Sequence, residues 1–351
     1  MPRHVPLSVL DLAPVVTGST PAQALRNTLD LARHAERWGY TRYWVAEHHN
    51  MPGVASSAPA VLVGQIAANT STMRVGSGGV MLPNHAPLVV AEQFGTLEAL
   101  YPGRIDLGIG RAPGTDPITA RALRRTTGPL SADDFPQQLA ELVGYFAPVK
   151  ENAPAAGVVA VPGAGYRPEM WLLGSSGYSA QLAGLLGLPF AFAHHFSAEN
   201  TLPALQLYRS SFRPSEYLDR PYAMVAVSAV CADTDEEAHR LASSEGLSFL
   251  RLRAGRPGLL PSPQEAENHP YTPLELQVLQ ARNATRFIGS PDTVRRQLDE
   301  FLERTRADEL MVTTMVHDHE ARLRSYELMA EVVGPTRAPA GETEAPPGTA
   351  G

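Results

Sequence analysis

The ionisable residues of this chain that could do chemistry gather just after short apolar runs. Glu47, His48 and His49 follow Tyr43–Ala46, His194 and His195 follow Leu188–Ala193, and His317 and His319 flank Asp318 after Leu310–Val316. An imidazole titrates near neutral pH, so it suits proton transfer or metal ligation. Neighbouring residues on extended backbone point to opposite sides, so only one of His48 and His49 can face a common centre, and the same holds for His194 and His195. A single histidine can equally be a hydrogen-bonded structural residue. His317 and His319 could co-ligate a metal, but two histidines fall short of the three protein ligands usual for catalytic zinc, and no H-E-x-x-H is present. A metal centre is therefore not expected.

A second kind of chemistry lies in Gly174-Ser175-Ser176-Gly177-Tyr178, between an apolar run and a helical stretch. Hydroxyls and backbone N–H groups at a helix N-terminus make an anion site, and Arg111 could add a guanidinium to the same phosphate. Ser175 and Ser176 could instead simply cap the helix, with Gly177 permitting the turn. Gly76, Gly78 and Gly79 interrupt the run Met73–Leu82, which also contains Met81. Glycine inside a strand marks either close approach of a ligand or tight packing. Other chemistries lack their signatures: there is no Walker A loop, no G-x-G-x-x-G followed by a ribose-binding acid, and no G-x-S-x-G elbow. The single cysteine, Cys231, lies inside an apolar run and reads as core; alone it excludes an internal disulfide.

These residues need elements to hold them. Eight apolar runs alternate with helical stretches: Val5–Leu10, Tyr43–Ala46, Met73–Leu82, Arg104–Ile109, Met170–Leu173, Leu188–Ala193, Ala223–Cys231 and Leu310–Val316. Strands separated by helices pair in parallel, and eight such units close into a (β/α)8 TIM barrel. Helix starts are expected at Thr20-Pro21, with Gln23 completing a capping box, and at Ser290-Pro291. Two irregular stretches, 111–132 and 254–285, read as insertions, and they are the candidates for lids over the strand ends. The active site of such a barrel lies at the C-terminal strand ends, where Glu47, His48, His49, Gly78, Gly79, Met81, Arg111, Ser175, Ser176, Gly177, Tyr178, His194 and His195 all fall.

Composition bounds the rest. The 351 residues form one barrel over 1–334, and 335–351 reads as a disordered tail because it holds almost no large apolar side chain. Lys+Arg 29 against Asp+Glu 36 gives a net charge of −7, which argues against nucleic-acid binding. With no secretion signal and no apolar stretch long enough for a membrane span, a cytoplasmic protein is expected.

The segments WVAEHHN at 44–50, RVGSGGVMLPNHAP at 74–87, GRIDLGIGRAPGTD at 103–116 and LLGSSGYSAQLAG at 172–184 together resemble the bacterial luciferase-like, flavin-dependent monooxygenases, over about residues 5–333. The likeness is strongest to the subgroup described as luciferase-family oxidoreductases. The resemblance implies a TIM barrel that uses reduced FMN, supplied by diffusion from a separate flavin reductase, and O2. Oxygenation of a small organic substrate would pass through a C4a-(hydro)peroxyflavin. It implies a homodimer. It assigns proton transfer to His48 and cofactor binding to Glu47, Gly78, Gly79, Arg111, Ser175, Ser176, Gly177 and Tyr178. Gly78-Gly79 matches the place of a non-prolyl cis peptide or bulge beneath the flavin ring. His49, Met81, His194 and His195 would line the substrate pocket.

Two positions depart from luciferase itself: Gly174 stands where it has a glutamate, and His194 where it has a tryptophan. Both argue against light emission and for a different substrate. The alternatives within the same resemblance are a flavin- or deazaflavin-dependent reductase without oxygenation, and a non-catalytic flavin-binding barrel. Intact Glu47-His48-His49 and Arg111 favour oxygenation.

Overall fold

The computed structural model describes residues 4–112, 114–124, 134–148 and 157–334. Among the described residues there are nine parallel-paired strands: β1 Leu7–Asp11, β2 Arg42–Val45, β3 Arg74–Met81, β4 Ile105–Gly110, β5 Glu169–Gly174, β6 Phe190–Ala193, β7 Ala223–Cys231, β8 Phe287–Gly289 and β9 Glu309–Thr313. Eight of them close the barrel, in the order β1-β2-β3-β4-β5-β6-β7-β9 and back to β1. Each overlaps one of the eight runs read from the sequence. The short β8 went unread, because three residues behind the charged Arg286 carry too little apolar pattern. It pairs only with Ala229–Cys231, where β7 has already parted from β9.

Period-two alternation sorts the strand residues. Leu7, Val9, Tyr43, Val45, Val225, Leu310 and Val312 join the cluster beneath the helices. Leu10, Trp44, Trp171, Met224, Ala226 and Met311 fill the barrel. Burying a large apolar side chain contributes about 1.5–3 kcal/mol, so the outer layer carries most of the stability. Towards the strand N-termini the filling becomes polar. Arg42 donates to Glu309 at 3.1 Å and to Asp106 at 2.9 Å, Arg74 donates to Asp106 at 2.8 Å, and Trp44 Nε1 donates to Asp106 at 2.8 Å.

Helix starts follow side-chain chemistry. Thr20 caps Pro21–Arg37 by accepting from Gln23 N at 3.2 Å, but the Gln23 side chain turns to Asn27, so the capping box is only half made. Complete boxes occur where the chain reads as irregular. Ser262 with Glu265 starts Pro263–Glu267, and Thr272 with Glu275 starts Pro273–Asn283. The 254–285 insertion is thus largely two capped helices. Leu260 exchanges backbone hydrogen bonds with Val15 and Thr17, which fastens this insertion to the loop after β1. The first insertion contains the helix Pro117–Arg124, and 125–132 lies outside the described residues, as does the tail 335–351. Cys231 is buried, and burial pushes its thiol up to about 12, in keeping with a core role. No helix among the described residues is long and apolar enough to cross a membrane.

Candidate active site

The polar groups at the C-terminal strand ends divide into those the protein consumes and those it leaves available. Glu47, directly after β2, is fully buried. Its carboxylate accepts from His49 Nε2 at 2.8 Å, His85 Nε2 at 2.9 Å and Met81 N at 2.9 Å, with Asn84 Nδ2 at 3.4 Å. Burial alone would raise its pKa, but the His85 and His49 bonds and the Met81 N–H hold it below the usual value. Glu47 was expected to bind cofactor and His49 to line the substrate pocket. Both side chains instead answer each other, with His85 as third member. His85 lies in the Asn84-His85-Ala86-Pro87 turn after β3; the signal that could have found it is its place beside a neighbouring strand end.

His48 takes a different direction from its neighbour, as alternation requires. Its Nδ1 lies 3.1 Å from the carbonyl of Gly114. A carbonyl only accepts, so Nδ1 carries the proton and Nε2 keeps a lone pair. Among the described residues Nε2 has no partner. Burial lowers the pKa of His48, so the ring is neutral at pH 7. Thr115 Oγ1 donates to His49 O at 2.8 Å, which fixes the first insertion over the histidine segment. The Met81 side chain packs on Gly110 and Gly114; a Cβ at Gly110 would meet its Sδ at 2.8 Å.

Gly78-Gly79 is a non-prolyl cis peptide, with an irregular register against β4 between Gly78 and Val80. A Cβ at Gly78 would meet Leu10 Cδ1 at 2.7 Å, and one at Gly79 would meet Leu173 Cδ1 at 2.3 Å and Gly108 O at 2.7 Å. Protein neighbours therefore already require both glycines, whatever lies above them.

Ile109 of β4 is level with Leu172 of β5, so Arg111 and Gly174 leave the sheet at the same height on adjacent strands. The Arg111 guanidinium lies 4.0 Å from the centre of the Tyr178 ring, and among the described residues it has no carboxylate partner. Ser176 is the N-cap of the helix Gly177–Leu186, yet its side chain makes no capping bond. Ser175 and Ser176 are both exposed. The capping role open to Ser176 is thus not taken up, and the first turn of this helix carries Tyr178, the ring against which Arg111 lies. A Cβ at Gly174 would meet Ser179 Cβ at 2.6 Å, which explains why no glutamate stands there.

The remaining expectations part company here. His194 Nε2 donates to Thr285 O at 3.1 Å, its Nδ1 lies 2.7 Å from Thr201 Oγ1, and its ring packs on Phe301 and Phe287. It belongs to the helix layer, not to a substrate pocket, because both nitrogens are held and aromatic rings cover it. His195 stays at the rim, with Nδ1 at 3.0 Å from Ala226 O. Burial pushes its pKa down to about 4. His317 lies against Thr17 and His319 against Asp30, so they do not converge. Among the described residues no three metal-ligating side chains cluster. A cavity of about 510 Å³ opens at the opposite end of the barrel, among Arg42, Arg74, Glu169 and Tyr222, away from all these groups.

Comparison with known proteins identifies the family. The model of the family "Luciferase-like monooxygenase" matches residues 5–309. The chain is 56% identical over 329 residues to the uncharacterized protein YvbT of Bacillus subtilis, covering 93% of this chain and 96% of that one. It is 51% identical over 331 residues to a luciferase-like monooxygenase of Escherichia coli, covering 94% and 97%. An N-acetyl-S-alkylcysteine monooxygenase of Bacillus subtilis is 32% identical over 334 residues, covering 93% and 98%. Among solved structures, apo-MsnO8 superposes with a TM-score of 0.87 at 42% identity, covering 95% of this chain and all of that one (100%). The oxygenating constituent of 3,6-diketocamphane monooxygenase of Pseudomonas putida, in complex with FMN, shares the fold with a TM-score of 0.70 at 20% identity, covering 95% and 99%. The barrel, the rim residues and these matches place the chain in the luciferase-like monooxygenase family.

Proposed function

We propose that this chain is an FMN-dependent monooxygenase that oxygenates a small organic molecule, with reduced FMN delivered by a separate reductase. The observation that carries the reading is the uncommitted anion site at Ser175, Ser176 and Arg111, set at the same rim as the uncommitted Nε2 of His48. A helix N-terminus with free hydroxyls and a guanidinium fits a phosphate dianion. When bound, reduced FMN would supply the electrons that activate O2, one oxygen atom going to the substrate and the other to water.

The residues then divide the work. Arg111, Ser175, Ser176 and the Gly177 N–H hold the phosphate, and Tyr178 keeps the guanidinium oriented. Gly78 and Gly79, which carry no side chains, would leave room for the flat ring. His48 holds or accepts a proton at Nε2, and its link to Gly114 O keeps that nitrogen aimed inward. Glu47, His49 and His85 fix the β2 and β3 exits, so they act as positioning residues. The chemistry would need water kept from the rim, and the insertion 254–285, fastened to the loop after β1, is the described segment placed to help. The likeness to the N-acetyl-S-alkylcysteine monooxygenase of Bacillus subtilis makes S-alkyl thioethers the first substrate class to assay.

The test is His48→Ala. Product formation with reduced FMN, O2 and a turned-over thioether should fall about 100-fold or more, the range for a lost general acid or base, while FMN affinity in a fluorescence titration changes less than about threefold. Equal loss of both would overturn the role. Failure of wild-type protein to bind FMN would overturn the cofactor assignment.

A further inference from the structure

A second charged cluster at the rim has no part in the reading above. Glu245, on the helix Asp235–Arg253, binds Arg282 through Oε1 and Arg286 through Oε2. Arg282 comes from the insertion helix Pro273–Asn283, and Arg286 directly precedes β8. Ser228 Oγ donates to Glu245 Oε2 at 3.2 Å and accepts from Arg286 Nε at 3.1 Å. Arg286 Nη1 donates to Asn283 at 3.3 Å. Two guanidinium groups thus share one carboxylate, on side chains only 3–17% exposed.

The cluster borders the barrel mouth. Ser228 is two residues beyond Ala226, which lines the interior with Leu10, Trp44 and Trp171. The backbone N–H and the ring of His195, at the end of β6, both reach Ala226 O. Burial keeps His195 neutral, so it neither supplies the missing negative charge nor adds a positive one.

A structural clip would need only one arginine. Arg286 is that clip: it is buried, and it ties β8 to β7 through Ser228 and Glu245. Arg282 is the excess. Its guanidinium stacks on Phe249 at 4.3 Å, and its Nε is buried without a hydrogen-bond partner. A buried cationic donor left unpaired costs free energy, and an arriving anion would recover it. Its helix has no fully buried residue, and Arg282 itself is held by Glu245 and Phe249.

We propose that Arg282, backed by Arg286, forms the subsite for a carboxylate on the substrate. The single net positive charge matches a monoanion, and the planar guanidinium edge matches its two oxygens. The substrate is then an organic acid whose reacting part lies over the barrel mouth and whose carboxylate sits under the 254–285 insertion. This rests on the rim being the substrate site.

The experiment measures binding by calorimetry, with and without FMN, for a panel of monocarboxylates (benzoate, S-benzyl-N-acetylcysteine, 4-phenylbutyrate) and their methyl esters. At least one acid should bind at least tenfold more tightly than its ester. Arg282→Gln should abolish that preference and Arg282→Lys should retain part of it. Glu245→Gln, which raises the net charge of the cluster, should tighten acid binding. A purely structural cluster would instead show lower thermal stability in these variants with no acid-over-ester preference to lose. No acid preferred over its ester, or a preference untouched by Arg282→Gln, overturns the subsite. FMN titration in the same samples separates the two readings: FMN binding without acid preference leaves the monooxygenase proposal standing, and absent FMN binding removes that proposal by itself.

Discussion

The two ends of the barrel are both rich in charge, but they balance it differently. At the base, Arg42 faces Asp106, Glu169 and Glu309, and Arg74 faces Asp106 and Glu169. Tyr222, Ser8 and both barrel tryptophans add hydrogen bonds to the same carboxylates. At the rim, among the described residues, Arg111 has a ring and no carboxylate, Ser176 makes no capping bond, and two arginines divide Glu245. A buried charge is stable only when paired and hydrogen-bonded. The base meets that condition inside the protein, whereas the rim leaves part of it to a ligand. This is the division expected of a barrel whose base serves stability and whose strand ends serve chemistry.

The largest expected effect comes from breaking the base. Asp106→Ala removes the buried carboxylate that Arg42, Arg74 and Trp44 Nε1 share, leaving Arg42 with Glu169 and Glu309 and Arg74 with Glu169, and should cost about 3–4 kcal/mol, seen as a lower denaturation midpoint. FMN affinity of the molecules still folded should be unchanged; a selective loss of FMN binding would erase the contrast between the two ends.

A pH titration of stability tests the rim next. His195 has a folded pKa of about 4, well below its unfolded value of about 6.5. The unfolded chain therefore binds the proton first. The contribution of a neutral His195 is complete above about pH 6.5 and is lost as pH falls towards about 4, with an upper limit of about 3.5 kcal/mol at about 1.4 kcal/mol per pH unit. His195→Gln should flatten the denaturation midpoint over that window. An unchanged slope would mean that the ring is not desolvated.

Ser176→Asp should weaken FMN binding by about tenfold or more, since a carboxylate would repel the phosphate. Its effect on stability should stay within about 0.5 kcal/mol. Unchanged FMN affinity would move the phosphate elsewhere. The smallest contrast is between two helix caps. Thr234 accepts from Glu237 N at 3.2 Å, so Thr234→Ala should cost about 1 kcal/mol. Ser176→Ala should cost less than about 0.5 kcal/mol, because no capping bond is lost. Equal costs would show that Ser176 is an ordinary cap.

The barrel was legible because each strand buries both faces, one against helices and one inside. Such runs stand out as continuously apolar, as Ala223–Cys231 does. The rim was legible as a place, since residues after such runs must meet at one end. Its assignments were less so. Glu47 and His49 pointed to ligand chemistry by type, but Glu47 accepts from both His49 and His85, and His85 lies in the turn after a neighbouring strand. His194 and His195 are adjacent and alike, yet one turns into the helix layer and the other stays at the mouth. The capping boxes at Ser262 and Thr272 were readable, but the prolines around them masked two helices as loop.

By itself the sequence determined the barrel, its closing order of strands and the end where polar residues collect, because periodicity and helix punctuation are local. Only the tertiary structure decided which of those residues remain available. Whether a buried polar group is free depends on partners far along the chain: Arg42 meets Glu309, Glu47 meets His85, and Arg282 and Arg286 share Glu245. Pairing across such separations is set by packing, and no single-chain spacing encodes it.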